Sequence, residues 1–314
     1  MQLEILNLQK SFGPKQVLRD VCFQAASGAA LGLLGRNGAG KTTTIRIIMQ
    51  VFPPDDGQVL LDGTPISQSD VQIGYLPEEK GLYPKVRIRD QLVYLGQLRG
   101  LSRAQALKSV QYWLERLDLG EYLDKKLETL SKGNQQKIQL AVALLAAPDI
   151  IILDEPFSGL DPVNAQLMKE IVNEQVAQGK VVFFSSHQMN YVEQFCDQVA
   201  ILDQGQIVLQ GSIRDIKRSF SRDRLLVSLD SDPATAAERL VRLLGEAPEL
   251  QALIMGIQPV ADGCILRLHN PADRLVLFQA LAARQADIAR FTVVEPSLEE
   301  IFVAKVGDHL ENEA

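Results

Sequence analysis

Cysteine, histidine and tryptophan are scarce in this chain: 3, 3 and 1 in 314 residues. Cys22, Cys196 and Cys264 are odd in number, far apart and free of any Cys-x-x-Cys spacing. That argues against a disulfide framework or a zinc site and for a reducing compartment. Basic charge is also short, with 32 Lys and Arg against 39 Asp and Glu. A net charge of −7, most of it after residue 219, argues against a nucleic-acid partner held on a broad basic face. Long apolar runs are missing. The most apolar stretch, Ile138 to Leu153, is broken by Gln139, Pro148 and Asp149 and falls short of the ~20 residues a membrane span needs. Met1 to Ile5 contains no basic region leading into an apolar signal core.

Apolar residues make up 46% of the chain, enough for ordinary globular cores, and the length suits two domains. Leu3, Ile5 and Leu8, then Val17 to Phe23, predict early strands, and Ala30 to Leu34 predicts a buried parallel strand. A helix is expected from Lys41 to the stop at Pro53-Pro54, followed by strands at Val59 to Leu61 and Val71 to Leu76. Between about 85 and 147, helical spacing dominates: Ile88, Leu92, Leu95 and Leu98, then Leu107, Val110, Trp113, Leu114 and Leu117. Strands at Ile150, Val181 to Ser185 and Val199 to Leu202 restore an α/β alternation around that helical insertion. After residue 219 a β-α-β-β-α-β order, ending in a short helix from Ser297, predicts a small α+β ferredoxin-like domain over 220–314.

Four segments carry chemistry. Gly35-Arg36-Asn37-Gly38-Ala39-Gly40-Lys41-Thr42 fits the phosphate-loop pattern between a strand and a helix. Its backbone N–H groups would form a nest for phosphate oxygens, helped by the positive end of the following helix. Lys41 would neutralise the β- and γ-phosphates, and the Thr42 hydroxyl would bind Mg²⁺. Ile150 to Leu153 is an apolar strand that ends in Asp154 and Glu155, a metal-holding carboxylate and a base for the attacking water. Ser131 caps a helix start beside Gly133, an arrangement suited to anions. His187 follows a strand and could reach a γ-phosphate, although a lone histidine is as often structural. The order of the four implies ATP binding and hydrolysis.

These residues resemble the ATP-binding cassette (ABC) family over roughly 1–217, with a P-loop NTPase fold. Gly35 to Thr43, Thr43 included, match its Walker A, Leu130 to Gln135 its signature and Ile150 to Glu155 its Walker B. Ser158 to Asp161 match its D-loop, His187 its switch histidine and Phe12 the position of an aromatic ring against adenine. The resemblance implies that ATP is sandwiched between two cassette copies, so Ser131, Gly133 and Asn134 would act across a dimer. It also implies a multi-span membrane permease as partner and a peripheral position on the cytoplasmic side of the cell membrane.

Three residues depart from the family pattern: Glu78 replaces the usual metal-contacting glutamine, Lys132 the first signature glycine and Asn134 the signature glutamine. The run Tyr75-Leu76-Pro77-Glu78-Glu79-Lys80-Gly81-Leu82-Tyr83, with Leu130 to Lys137, is similar to the bacterial sodium-efflux type, and the end Glu295 to Phe302 to the small carboxyl-terminal domain of that group, which implies an exporter. The alternative is a soluble ABC ATPase acting on ribosomes or DNA. A single cassette, the short interval 79–130 and the acidic charge disfavour it.

Overall fold

The computed structural model describes residues 1–79, 81–220, 223–230 and 233–312. Lys80, part of the run quoted above, lies outside them. The chain divides into two compact units, Met1–Ile213 with Phe302–Ala314, and Arg214–Ile301. The sequence division at 219 differs from this at both ends of the tail.

The first unit opens with two long strands, β1 (Gln2–Phe12) and β2 (Lys15–Ala26), paired antiparallel. With β4 (Asp56–Leu61) and β5 (Thr64–Pro65) they form a sheet ordered β2-β1-β4-β5. Between them in the chain lie β3 (Ala30–Leu34) and α1 (Lys41–Ile48), which belong to the other layer. β6 (Ile73–Leu76) begins two positions later than the apolar pattern at Val71 suggested.

The helical insertion holds α2 (Ile88–Leu98), α3 (Arg103–Arg116) and α4 (Lys132–Leu144). Most of the expected spacing is buried: Ile88, Leu92, Val110, Leu114 and Trp113 enter one apolar cluster, whereas Leu98 at the end of α2 is exposed. Ser102 starts α3 with a capping box, its side chain and that of Gln105 bonding each other's backbone N–H.

Four more strands and two helices complete the unit: β7 (Ile150–Asp154), α5 (Pro162–Ala177), β8 (Val181–Ser186), α6 (Met189–Phe195), β9 (Gln198–Asp203) and β10 (Gln206–Ser212). They build a six-stranded sheet ordered β10-β9-β3-β8-β7-β6, parallel from β9 through β6. β3, β7 and β8 are buried at every position, as central strands covered on both faces must be. In such a sheet ligands collect beyond the carboxyl ends of the strands.

The second unit begins with α7 (Ile213–Ser219) and continues through β11 (Arg224–Leu229), α8 (Pro233–Gly245), α9 (Pro248–Gln251), β12 (Ile254–Val260) and β13 (Gly263–Leu268). α10 (Arg274–Ala283) and β14 (Ile288–Val293) follow, and α11 (Leu298–Asn312) starts in this unit and belongs to the first from Phe302 onward. The sheet of the second unit is ordered β12-β13-β11-β14 with every neighbouring pair antiparallel, the ferredoxin-like topology expected from the element order. α9 is an addition to that order, and the terminal helix is longer than the short one read from Ser297. Leu225, Val227, Leu240, Leu244, Leu266 and Leu277 form the core of this unit.

A nucleotide cleft at the carboxyl edge of the sheet

The phosphate loop leaves β3 at Gly35 and enters α1 at Lys41. The turn depends on missing side chains at two points. Gly40 has φ +114°, and a Cβ there would meet Leu18 Cδ2 at 2.6 Å; a Cβ on Gly35 would strike the Leu202 carbonyl oxygen at 2.3 Å. Lys41 is buried, and its Nζ donates to the carbonyls of Gly35 (2.7 Å) and Arg36 (3.3 Å). Burial lowers its pKa from the ordinary lysine value, while Glu155, Asp154 and Glu78 pull it back up.

Those carboxylates converge because three parallel strands end together. Lys41, Asn37, Gly38, Gly40, Thr42, Thr43, Glu78, Asp154 and Glu155 line one cleft of about 430 Å³, with Lys15 and Val17 of β2. Asp154, last residue of β7, lies opposite Ser185 of β8, and the Ser185 hydroxyl bonds its Oδ1. The Tyr75 hydroxyl of β6 donates to Oδ2 at 3.3 Å. Burial pushes the Asp154 carboxyl above its ordinary pKa, against the opposing effect of the Ser185 bond. Burial, then the adjacent Asp154 charge, also raise the Tyr75 hydroxyl, so it remains a donor.

Glu155 is buried and has φ +49°, a left-handed conformation that costs a non-glycine residue about 1–2 kcal/mol. The turn aims its carboxylate back across β8. Oε2 accepts from the Ser186 hydroxyl at 2.8 Å, and Oε1 accepts from the His187 backbone N–H at 2.7 Å. His187 Nδ1 lies 2.6 Å from the same Oε1. Glu155 and His187, read as separate candidates from sequence, are one hydrogen-bonded pair.

The remaining sequence candidates do not reach this cleft. Phe12 sits opposite Lys15 in the β1–β2 pairing, half exposed, with its ring edge-on to Phe52 at 5.7 Å. Ala39 is buried in the core cluster behind the loop. Ser131 caps α4, its hydroxyl accepting from the Asn134 N–H at 3.3 Å, and it is exposed with Gly133 and Asn134 half-buried beside it. None of the three lines the cleft of its own chain. Sequence reasoning missed Tyr75, Ser185, Ser186 and Lys15. The Ser185-Ser186 pair just before His187 was a visible signal; the reach of Tyr75 depends on strand register and was not.

Comparisons with known proteins place the sequence and the fold. The model of the ABC transporter family matches residues 18–158, and that of the C-terminal domain of DrrA1-3-like ATP-binding proteins matches 211–306. The uncharacterized ABC transporter ATP-binding protein YhaQ of Bacillus subtilis is 41% identical, covering 97% of this chain and 98% of its own length. The linearmycin resistance ATP-binding protein LnrL of the same organism is 30% identical over 97% and 98%. The Nod factor export ATP-binding protein I of Paraburkholderia xenovorans is 31% identical over 90% and 97%. A solved ATP-binding subunit of an ABC transporter superposes with TM-score 0.64 at 32% identity, covering 70% of this chain and 93% of that one. Alike in fold and in near full-length sequence, this chain belongs to the ATP-binding, ATP-hydrolysing proteins of the ABC transporter family.

Proposed function

We propose that the chain powers an exporter: two copies close on ATP and drive a separate multi-span permease from the cytoplasmic side of the membrane. The observation that carries the paired arrangement is the separation of Ser131, Gly133 and Asn134 from the cleft of their own chain, while Ser131 stays exposed. A signature that cannot serve its own nucleotide is free to complete the site of a second copy. Among the described residues no helix is long and apolar enough to cross a membrane, which is why the permease is assigned to another polypeptide. Export is supported by the named relatives, one of linearmycin resistance and one of Nod factor export.

Within the cleft, Lys41 exchanges its two loop carbonyls for the β- and γ-phosphate oxygens, stronger acceptors because they are charged. Thr42, Asp154 and Glu78 offer oxygen donors on one wall, the set that Mg²⁺ prefers. Mg²⁺ held by those donors would supply the charge that neutralises the transferred phosphoryl group. Glu155 takes the proton of the attacking water, and ATP and water become ADP and phosphate. His187, hydrogen-bonded to Glu155, contacts the γ-phosphate and couples the base to the presence of ATP. Phe12, outside the cleft but paired with Lys15 at its edge and half exposed, offers its ring to adenine there.

Inverted vesicles carrying the chain and its permease test the export reading. ATP-dependent uptake of cargo into them supports it, and sodium uptake would extend it to the sodium-efflux type. ATP-driven loss of cargo from the vesicles contradicts it.

A further inference from the structure

Tyr75 has no part in the chemistry above, yet it holds one oxygen of the carboxylate at the centre of the site. Asp154 ends β7, the strand between β8 and β6. From β8, Ser185 takes Oδ1. From β6, Tyr75 is in register with Ile152 and its side chain reaches forward to Oδ2 at 3.3 Å. Tyr75 packs with Ile73 into the apolar cluster that also holds Ile45, Ile47 and Ile48 of α1, so it lies on the α1 face of the sheet. The carboxylate is therefore braced from both flanking strands, each oxygen by a different one. Magnesium demands near-octahedral geometry, and a carboxylate facing it is useful only when its free lone pairs hold one direction.

The geometry points to Tyr75 as a positioning residue for Mg²⁺-ATP: its hydroxyl, with that of Ser185, sets the direction in which Asp154 faces the metal beside Thr42. This rests on the metal reading proposed above. Tyr75→Phe keeps the ring and its packing and removes only the donor, so a fold preserved in thermal melting isolates the hydrogen bond.

The test is ATP binding by calorimetry across a Mg²⁺ titration, in full-length chain carrying Glu155→Gln so that hydrolysis does not intrude. Tyr75→Phe should raise the Mg²⁺ concentration for half-maximal enhancement about tenfold, the lower end for partners that orient a ligand, because this bond is long. ATP affinity in EDTA should not change. Ser185→Ala should shift the titration in the same direction. Equal loss of affinity with and without Mg²⁺ would make Tyr75 merely structural and overturn the inference. So would a Tyr75→Phe curve that overlays the parent while Asp154→Asn moves it. Should Asp154→Asn leave the curve in place too, the metal assignment itself fails.

Discussion

At the scale of single residues, Glu155 is the most tightly held group of the cleft. Three hydrogen bonds and a left-handed backbone hold its carboxylate in one place, so replacing charge without changing shape is informative. Glu155→Gln is expected to bind ATP normally and to hydrolyse it about 10²–10⁴-fold more slowly, the usual share of a general base. Near-normal turnover in a steady-state phosphate-release assay would remove Glu155 from that role. Lys41→Ala should weaken ATP binding and abolish hydrolysis while the chain still folds. It removes a buried ammonium that donates to two loop carbonyls. Unchanged affinity in calorimetry would count against the phosphate-loop assignment. Much of this was legible beforehand, because a phosphate loop needs glycines at fixed offsets and an apolar strand shows where its terminal carboxylates stand. Tyr75 was not legible, since its contact with Asp154 exists only through the pairing of β6 with β7.

At the scale of elements, the start of α11 explains why its sequence reads Ser297-Leu298-Glu299-Glu300-Ile301-Phe302. The Ser297 hydroxyl accepts from the Glu300 N–H at 3.1 Å while the Glu300 carboxylate accepts from the Ser297 N–H at 3.0 Å, a reciprocal cap. Leu298, Ile301 and Phe302 are buried, and Arg224 of β11 pairs with Glu300 at 2.6 Å. The backbone bond from Ser297, then the Arg224 contacts, hold the Glu300 carboxyl below its ordinary pKa. A depressed carboxylate pKa stabilises the fold above the unfolded value, and that contribution is lost as pH falls through the folded one. Ser297→Ala should therefore cost about 1 kcal/mol in denaturant unfolding. Glu300→Gln should lower the melting temperature at pH 7, and the gap to the parent should close in acid. A gap that persists unchanged below the carboxylate range would show that the charge is not what matters. α5 is harder to read from sequence because Val163 and Leu167 add apolar residues outside the stripe of Ala165, Met168, Ile171 and Val172 that enters the core.

For the whole molecule, every residue lining the cleft precedes Ile213. A chain ending at Ser219 should bind ATP with the affinity of the full chain; a folded truncation that does not bind would place part of the nucleotide site in the tail. The ferredoxin-like order of that tail was readable from alternating strands and helices, whereas the exact division was not, because α7 and α11 carry no composition shift of their own. The central claim is that each ATP is completed by the signature of a second copy, and mixing two inactive variants tests it most directly. Lys41→Ala and Ser131→Ala chains should each be inactive as homodimers. Mixed in equal amounts and allowed to exchange, they form heterodimers in which one site joins an intact phosphate loop to an intact signature. ATPase activity should recover to about a quarter of the parent, from half the dimers with one of two sites. No recovery, with heterodimers verified by differential tagging, would contradict it.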